Sequence, residues 1–316
     1  MLKVLLVKTS SLGDVVHNMP AASDIRRRFP EARIDWVVEE AYAPLLALHR
    51  SVHRSIPVAI RRWRRGLLDV STWSEIWALR REFRQVRYDA VIDSQGLIKS
   101  ALLARSASGR RHGHDAGTAR ESLAARFYDV RHHVPNGQHA VIRNRLLAAA
   151  ALGYRLEGPV DYGLRIDERE EPADAYCVLL HMSSRADKLW PEARWIELGR
   201  ALERRRLRCI LPWGSTAERE RSERIAAGLR GASVPAHQPL LSLARLLAGA
   251  RAAVGVDTGL THLAAALGVA AVALYTGSDP KLTGVFDAAQ ARNVGGVGEM
   301  PEVAEVLASL SELKVP

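Results

Sequence analysis

The chain has 316 residues, 47% of them hydrophobic, and a formal net charge of +10; that is enough for two folded domains with separate cores. The charge is uneven: residues 1–155 hold 26 Lys and Arg against 14 Asp and Glu, a net of +12, while residues 156–316 hold 19 against 21, a net of −2. A basic first half predicts an acidic ligand there, and the absence of any run near ~18 uninterrupted apolar residues argues against a membrane span.

In chain order, residues 2–7 read as a buried parallel strand and Thr9-Ser-Ser-Leu-Gly-Asp14 as the loop into a helix starting near Asp14. Lys3 and Lys8 interrupt this apolar start, which is too short for a signal peptide, so a soluble cytoplasmic protein is expected. Residues 34–38 and 90–92 are the next strands, each ending in polar residues: Glu39-Glu40, then Asp93-Ser-Gln-Gly96. Such strand ends are where open α/β sheets bind ligands. Between them lies Ile60-Arg-Arg-Trp-Arg-Arg-Gly66, too densely charged for a core, followed by Trp73, Trp77 and Phe83 on a helix where packing is the expected role. Residues 109–145 are rich in Arg, His and Gly. Their histidines are irregularly spaced, with no Cys nearby, so an anion-binding surface is expected rather than a zinc site.

Residues 153–172 carry glycines, prolines and the charge run Asp167-Glu-Arg-Glu-Glu171, which places a linker at 156–172 between domains at 1–155 and 173–316. A second alternation follows, with strands at 177–180, 209–211, 252–256 and 269–274 and helices around 191–206, 216–230, 240–249 and 260–267. Cys177 and Cys209 fall within these strands and read as small buried hydrophobes in a reducing compartment. The pattern predicts an α/β protein of two doubly wound Rossmann-like domains facing a cleft. The last helix, near 302–313, is a candidate to pack back on the first domain.

The most suggestive stretch is Val254-Gly-Val-Asp-Thr-Gly-Leu-Thr-His262. An apolar strand stops at Asp257, Thr258 can cap the helix beginning at Gly259, and His262 returns to the same side one turn later. Unpartnered N–H groups and the helix dipole make this an anion site, a capped turn with a buried histidine being the other reading. Ser183 and Ser184 add hydroxyls, Lys188 a positive charge, and Glu218 an acceptor for ribose hydroxyls, a set suited to a nucleoside diphosphate. The segment near Gln238 belongs to the same strand-end group. No Asp-x-Asp occurs, which argues against a metal clamped between carboxylates and a diphosphate. Asp14 is either a helix cap or a catalytic base.

Four segments carry a family resemblance: Val7-Lys-Thr-Ser-Ser-Leu-Gly-Asp-Val-Val-His17; Asp35-Trp-Val-Val-Glu-Glu40 with Ile56-Pro-Val-Ala-Ile-Arg-Arg-Trp-Arg64; Tyr88-Asp-Ala-Val-Ile-Asp-Ser-Gln-Gly-Leu-Ile-Lys-Ser100; and Val256-Asp-Thr-Gly-Leu-Thr-His-Leu263. On these the chain resembles the lipopolysaccharide heptosyltransferases, and the first inner-core enzyme more than the second. The resemblance implies a GT-B fold and metal-independent, inverting transfer of L-glycero-D-manno-heptose from ADP-heptose to the Kdo of Kdo2-lipid A. No cofactor is implied, and the reaction would take place at the cytoplasmic face of the inner membrane. By position Asp14 matches the general base, and Ser183, Ser184, Lys188, Glu218, Asp257, Thr258, Gly259 and His262 the donor site. The family often has threonines at the two serines, which keeps the hydroxyls.

The +12 half suits an anionic acceptor and an anionic leaflet. Lys8, Ser10, Arg61, Arg62, Arg64, Gln95, Lys99 and Arg120 are the candidate acceptor contacts. A different acceptor, or a nucleotide-sugar epimerase, remains an alternative. Nucleic acid is disfavoured because the arginines lie in several loops without a binding motif.

Overall fold

The computed structural model describes residues 1–66, 68–166 and 175–315. It divides into two compact units, Met1–Gly163 and Leu164–Pro316. This division falls inside the expected linker, whose charge run at 167–171 lies outside the described residues.

In the first unit, β1 (Lys3–Val7), β2 (Arg33–Glu39), β3 (Arg54–Val58), β4 (Arg87–Asp93), β5 (Ser108–His114) and β6 (Val130–His132) form one parallel sheet in the order β3-β2-β1-β4-β5-β6. Central β1 is nearly all apolar because helices cover both of its faces. The chain winds one way from β1 to β3 and the other way from β4 to β6. The loops leaving β1 and β4 therefore part at the carboxyl edge, the usual ligand crevice of such sheets. Helix Leu12–Arg28 follows β1 directly, with Ser11 rather than Asp14 at its N-cap. Asp14 sits one turn in and accepts from the Ser11 N–H at 3.0 Å, a reciprocal cap.

Two expectations for this unit are corrected. Within Ile60–Trp63 the arginines face outward, but Trp63 is buried in the core with Leu5, Val7 and Phe83. On helix Val70–Gln85 only Phe83 of the three aromatics packs inward, and Trp73 and Trp77 are exposed. Strand β5 was also hidden in the Arg- and His-rich stretch, where its His112 and His114 are buried.

In the second unit, β7 (Tyr176–Leu180), β8 (Arg208–Ile210), β9 (Ala252–Val256), β10 (Ala271–Tyr275) and β11 (Ala291–Gly295) run parallel in the order β11-β10-β9-β7-β8. Here the winding reverses between β7 and β9. Helix Gly259–Ala266 lies close on β9 because Gly255 has no Cβ; one there would collide with Thr261 Oγ1. Cys177 and Cys209 are buried on neighbouring strands. The last helix, Val303–Glu312, contributes Val303, Val306 and Leu310 to the second unit's core.

Candidate active site

In the second unit the site is organised by Asp257, the first residue after β9. Its Oδ2 accepts from Lys188 Nζ at 2.6 Å and Ser278 Oγ at 2.5 Å, and its Oδ1 lies 3.2 Å from His262 Nε2. Ser183 Oγ donates to the Asp257 carbonyl at 3.2 Å. The loops after β7, β9 and β10 therefore meet on one carboxylate. Burial by itself would raise the Asp257 pKa, but His262, Lys188 and Ser278 outweigh it and hold the group well below the usual carboxylate range. The anion so fixed keeps the ammonium of Lys188 at the strand end.

Beside it, Thr258 occupies the N-cap of helix Gly259–Ala266 without a side-chain capping bond. The first N–H groups of that helix are open to an anion. Half-buried Ser183 reaches this point through its bond to the Asp257 carbonyl, and Ser184 beside it in sequence is exposed. Ser278 and Thr276, the latter donating to the Asp187 carbonyl at 2.7 Å, were missed from the sequence. The signal that could have found them is the same one used elsewhere, a small polar loop after an apolar strand.

Glu218 lies in the first turn of helix Thr216–Ala227, where its Oε2 accepts from Gly214 N–H at 2.7 Å. Trp213 of the same loop donates to the Pro235 carbonyl at 2.8 Å, which ties it to the segment leading to Gln238. Among the described residues no hydrogen bond joins Glu218 or Gln238 to the Asp257 cluster, and the Oε1 of Gln238 is buried without a partner. That oxygen is suited to accept from a ligand amino group.

In the first unit Asp14 is the focus, with its side chain 16% exposed. Arg120, reaching in from the loop after β5, donates to both carboxylate oxygens. Burial raises the Asp14 pKa, while the charges of Lys8 and Arg120 and the Arg120 and Ser11 hydrogen bonds lower it further, to a net value well below the usual range. Lys8 is buried and donates to the Ser94 carbonyl at 2.8 Å and to Asn144 Oδ1 at 3.4 Å. Burial lowers its pKa to about 8 against the opposing pull of Asp14.

Gln95 braces the crevice, its Nε2 donating to the Ser10 carbonyl at 2.6 Å and its Oε1 accepting from Thr9 N–H at 3.1 Å. Lys8 and Gln95 thus act on this site from inside, through charge and loop geometry. Ser10 and Lys99 are half-buried at the same edge. Arg61, Arg62 and Arg64 are exposed and stand apart on the segment after β3. Arg62 is already paired with Glu40 and Glu75, whereas Arg61 donates to the Tyr42 hydroxyl.

The profile of glycosyltransferase family 9 (heptosyltransferase) matches residues 76–309. The lipopolysaccharide heptosyltransferase 1 of Pseudomonas aeruginosa is 49% identical over 296 residues, which cover 92% of this chain and 82% of the relative. Among solved structures, the E. coli heptosyltransferase WaaC with ADP is similar at a TM-score of 0.90 and 42% identity, covering 99% of this chain and 100% of that one. WaaC with ADP-2-deoxy-2-fluoro heptose gives 0.88 at 41% identity, covering 98% and 99%.

Proposed function

The chain belongs to glycosyltransferase family 9 and is a glycosyltransferase of GT-B fold; from that premise we propose that it transfers heptose from ADP-heptose to the Kdo of Kdo2-lipid A in lipopolysaccharide inner-core synthesis. The observation that carries this reading is the Asp257 cluster. It sets a lysine ammonium, serine hydroxyls and an open helix N-terminus at one strand edge, which is what a departing diphosphate needs. The relatives with bound ADP and an ADP-heptose analogue support the same donor.

The mechanism is a single displacement. Asp14 takes the proton of the acceptor hydroxyl as its oxygen attacks the anomeric carbon, and the bond from that carbon to the β-phosphate oxygen breaks. ADP leaves with the electron pair, stabilised by Lys188 and the Gly259 helix start, and the configuration at carbon inverts. An aspartate held at such a low pKa is a weak base, so proton transfer accompanies attack rather than preceding it. Arg120 is the lever in this scheme. A carboxylate of the acceptor competes for its guanidinium and frees the Asp14 oxygens when substrate is in place. Lys8, Ser10, Gln95 and Lys99 line or support the acceptor edge, and Arg61, Arg62 and Arg64 meet the acceptor's outer anionic groups.

No described helix is long and apolar enough to cross a membrane. The enzyme works as a peripheral protein at the cytoplasmic face of the inner membrane, where its acceptor lies. The test is mass spectrometry of products from ADP-heptose with Kdo2-lipid A, beside a control lacking acceptor. One added heptose is the expected product. Donor conversion in the control, with no acceptor product, would instead identify an epimerase.

A further inference from the structure

Helix Val70–Gln85 presents two faces with different partners. Thr72, Leu79 and Phe83 are buried, and Ile76 packs on the same core. At a helical period, Val70, Trp73, Trp77, Arg80, Arg81 and Arg84 fall within an arc of about 100° on the other side. Leu68 is 99% exposed, Val70 84%, Trp73 49% and Trp77 58%. The three arginines are exposed as well, with the Arg80 guanidinium 5.1 Å from the centre of the Trp77 ring. Among the described residues Arg80, Arg81 and Arg84 form no ion pair, whereas both carboxylates of the helix are taken, Glu75 by Arg62 and Glu82 by Arg54. This outer face is therefore apolar at its start and cationic at its end, with Asp69 at the N-cap as the one exposed carboxylate beside it.

We infer that this face docks the first unit on an anionic lipid surface. Indole rings favour the boundary between headgroups and acyl chains, where the ring is desolvated and the N–H stays wet. The arginines then meet headgroup phosphates, to which the guanidinium fork is matched. A second copy of the chain fits less well, because pairing two such faces sets cation against cation. The placement also serves the proposed reaction: Glu75 accepts from Trp63 Nε1 at 2.7 Å and pairs with Arg62, which ties the docking helix to the segment bearing the outer candidate acceptor arginines. The inference rests on the lipid-borne acceptor reading for its purpose and on the exposed face for its evidence.

The experiment is vesicle flotation of the full chain, with phosphatidylcholine alone and with added phosphatidylglycerol, coupled to quenching of tryptophan fluorescence by brominated acyl chains. Binding to the anionic vesicles, weakened by salt, and quenching are expected. The Trp73→Ala/Trp77→Ala variant should bind about ten-fold or more weakly and lose most of the quenching. The Arg80→Gln/Arg81→Gln/Arg84→Gln variant should lose the preference for phosphatidylglycerol. Circular dichroism and melting of both variants are compared with the parent, and the single Trp77→Ala variant repeats the binding test with Trp73 in place. Heptose transfer to a deacylated, water-soluble acceptor should be unchanged in both variants. Absence of that transfer in the parent would sink the functional reading and leave the vesicle result standing by itself. Equal vesicle binding by the tryptophan variant overturns the docking inference. Self-association removed by the same variant, with no vesicle binding by the parent, overturns it equally.

Discussion

Arg120 grips both carboxylate oxygens of Asp14, with Nη1 3.2 Å from Oδ2 and Nη2 2.5 Å from Oδ1. The proposed base therefore rests with its lone pairs engaged by a cation carried on the loop after β5, two strands along the same carboxyl edge. Replacing Arg120 by Ala removes one of the influences that lower the Asp14 pKa, and the carboxyl should move up toward its ordinary value. The acidic limb of the kcat profile should then shift to higher pH, and KM for the acceptor should rise as its carboxylate loses a partner. The same pair contributes stability above the unfolded carboxylate pKa, and this is lost as pH falls through the lower folded value. Urea unfolding should show the parent ahead of Arg120→Ala at pH 7, with the gap closing in acid.

Asp14→Asn keeps the shape and removes the base. Steady-state assays should find kcat lower by about 10² to 10⁴, with KM nearly unchanged. Near-parental kcat would remove Asp14 from the mechanism.

Lys8 makes a prediction of the same sign as the Asp14 carboxylate, in a more alkaline window. Burial lowers its pKa from 10.5 to about 8, so over that interval the unfolded chain binds more protons than the folded one. Stability from this group should accordingly rise with pH between those values. Chemical unfolding at several pH values should reveal that slope in the parent and its loss in Lys8→Met.

For the donor, Lys188→Ala should weaken ADP binding about 10- to 100-fold in calorimetry and lower turnover as well. Ser278→Ala should cost less, roughly 3- to 10-fold, because a neutral hydroxyl leaves one acceptor site on Asp257 open. Unchanged ADP affinity in both variants would argue against a diphosphate at this edge.

Asp24 and Arg145 form a buried ion pair, Nε to Oδ2 at 2.7 Å, that fastens helix Leu12–Arg28 to helix Ala140–Leu152. Asp24→Ala leaves the Arg145 guanidinium buried without its charge partner, and should lower unfolding free energy by about 3–5 kcal/mol in denaturant titration.

The amino-acid sequence by itself determined the strands whose burial is written in apolar runs: β1, β4 and β7 to β10 were legible, as was β2 despite the buried Asp35 within it, because a strand covered on both faces can use little else. It also determined the short-range pieces of the candidate site, where Asp257, Thr258 and Gly259 follow a strand end directly and Asp14 stands in the first turn of the helix after β1. Strand β3 (RSIPV), β5 (SGRRHGH), β6 (VRH) and β11 (ARNVG) left no such run, and only pairing with their neighbours made them strands. Which groups meet was decided by the tertiary structure: Arg120 on Asp14 across 106 positions, Ser278 and Lys188 on Asp257 across 21 and 69. Spacing along the chain carries no record of such pairs, because parallel sheets bring together loops separated by whole strand-helix-strand units. The same holds for Trp73 and Trp77. An apolar side chain shows in sequence only that it avoids water, and it took the neighbouring elements to show that helix Val70–Gln85 turns its core face the other way and leaves both rings outside.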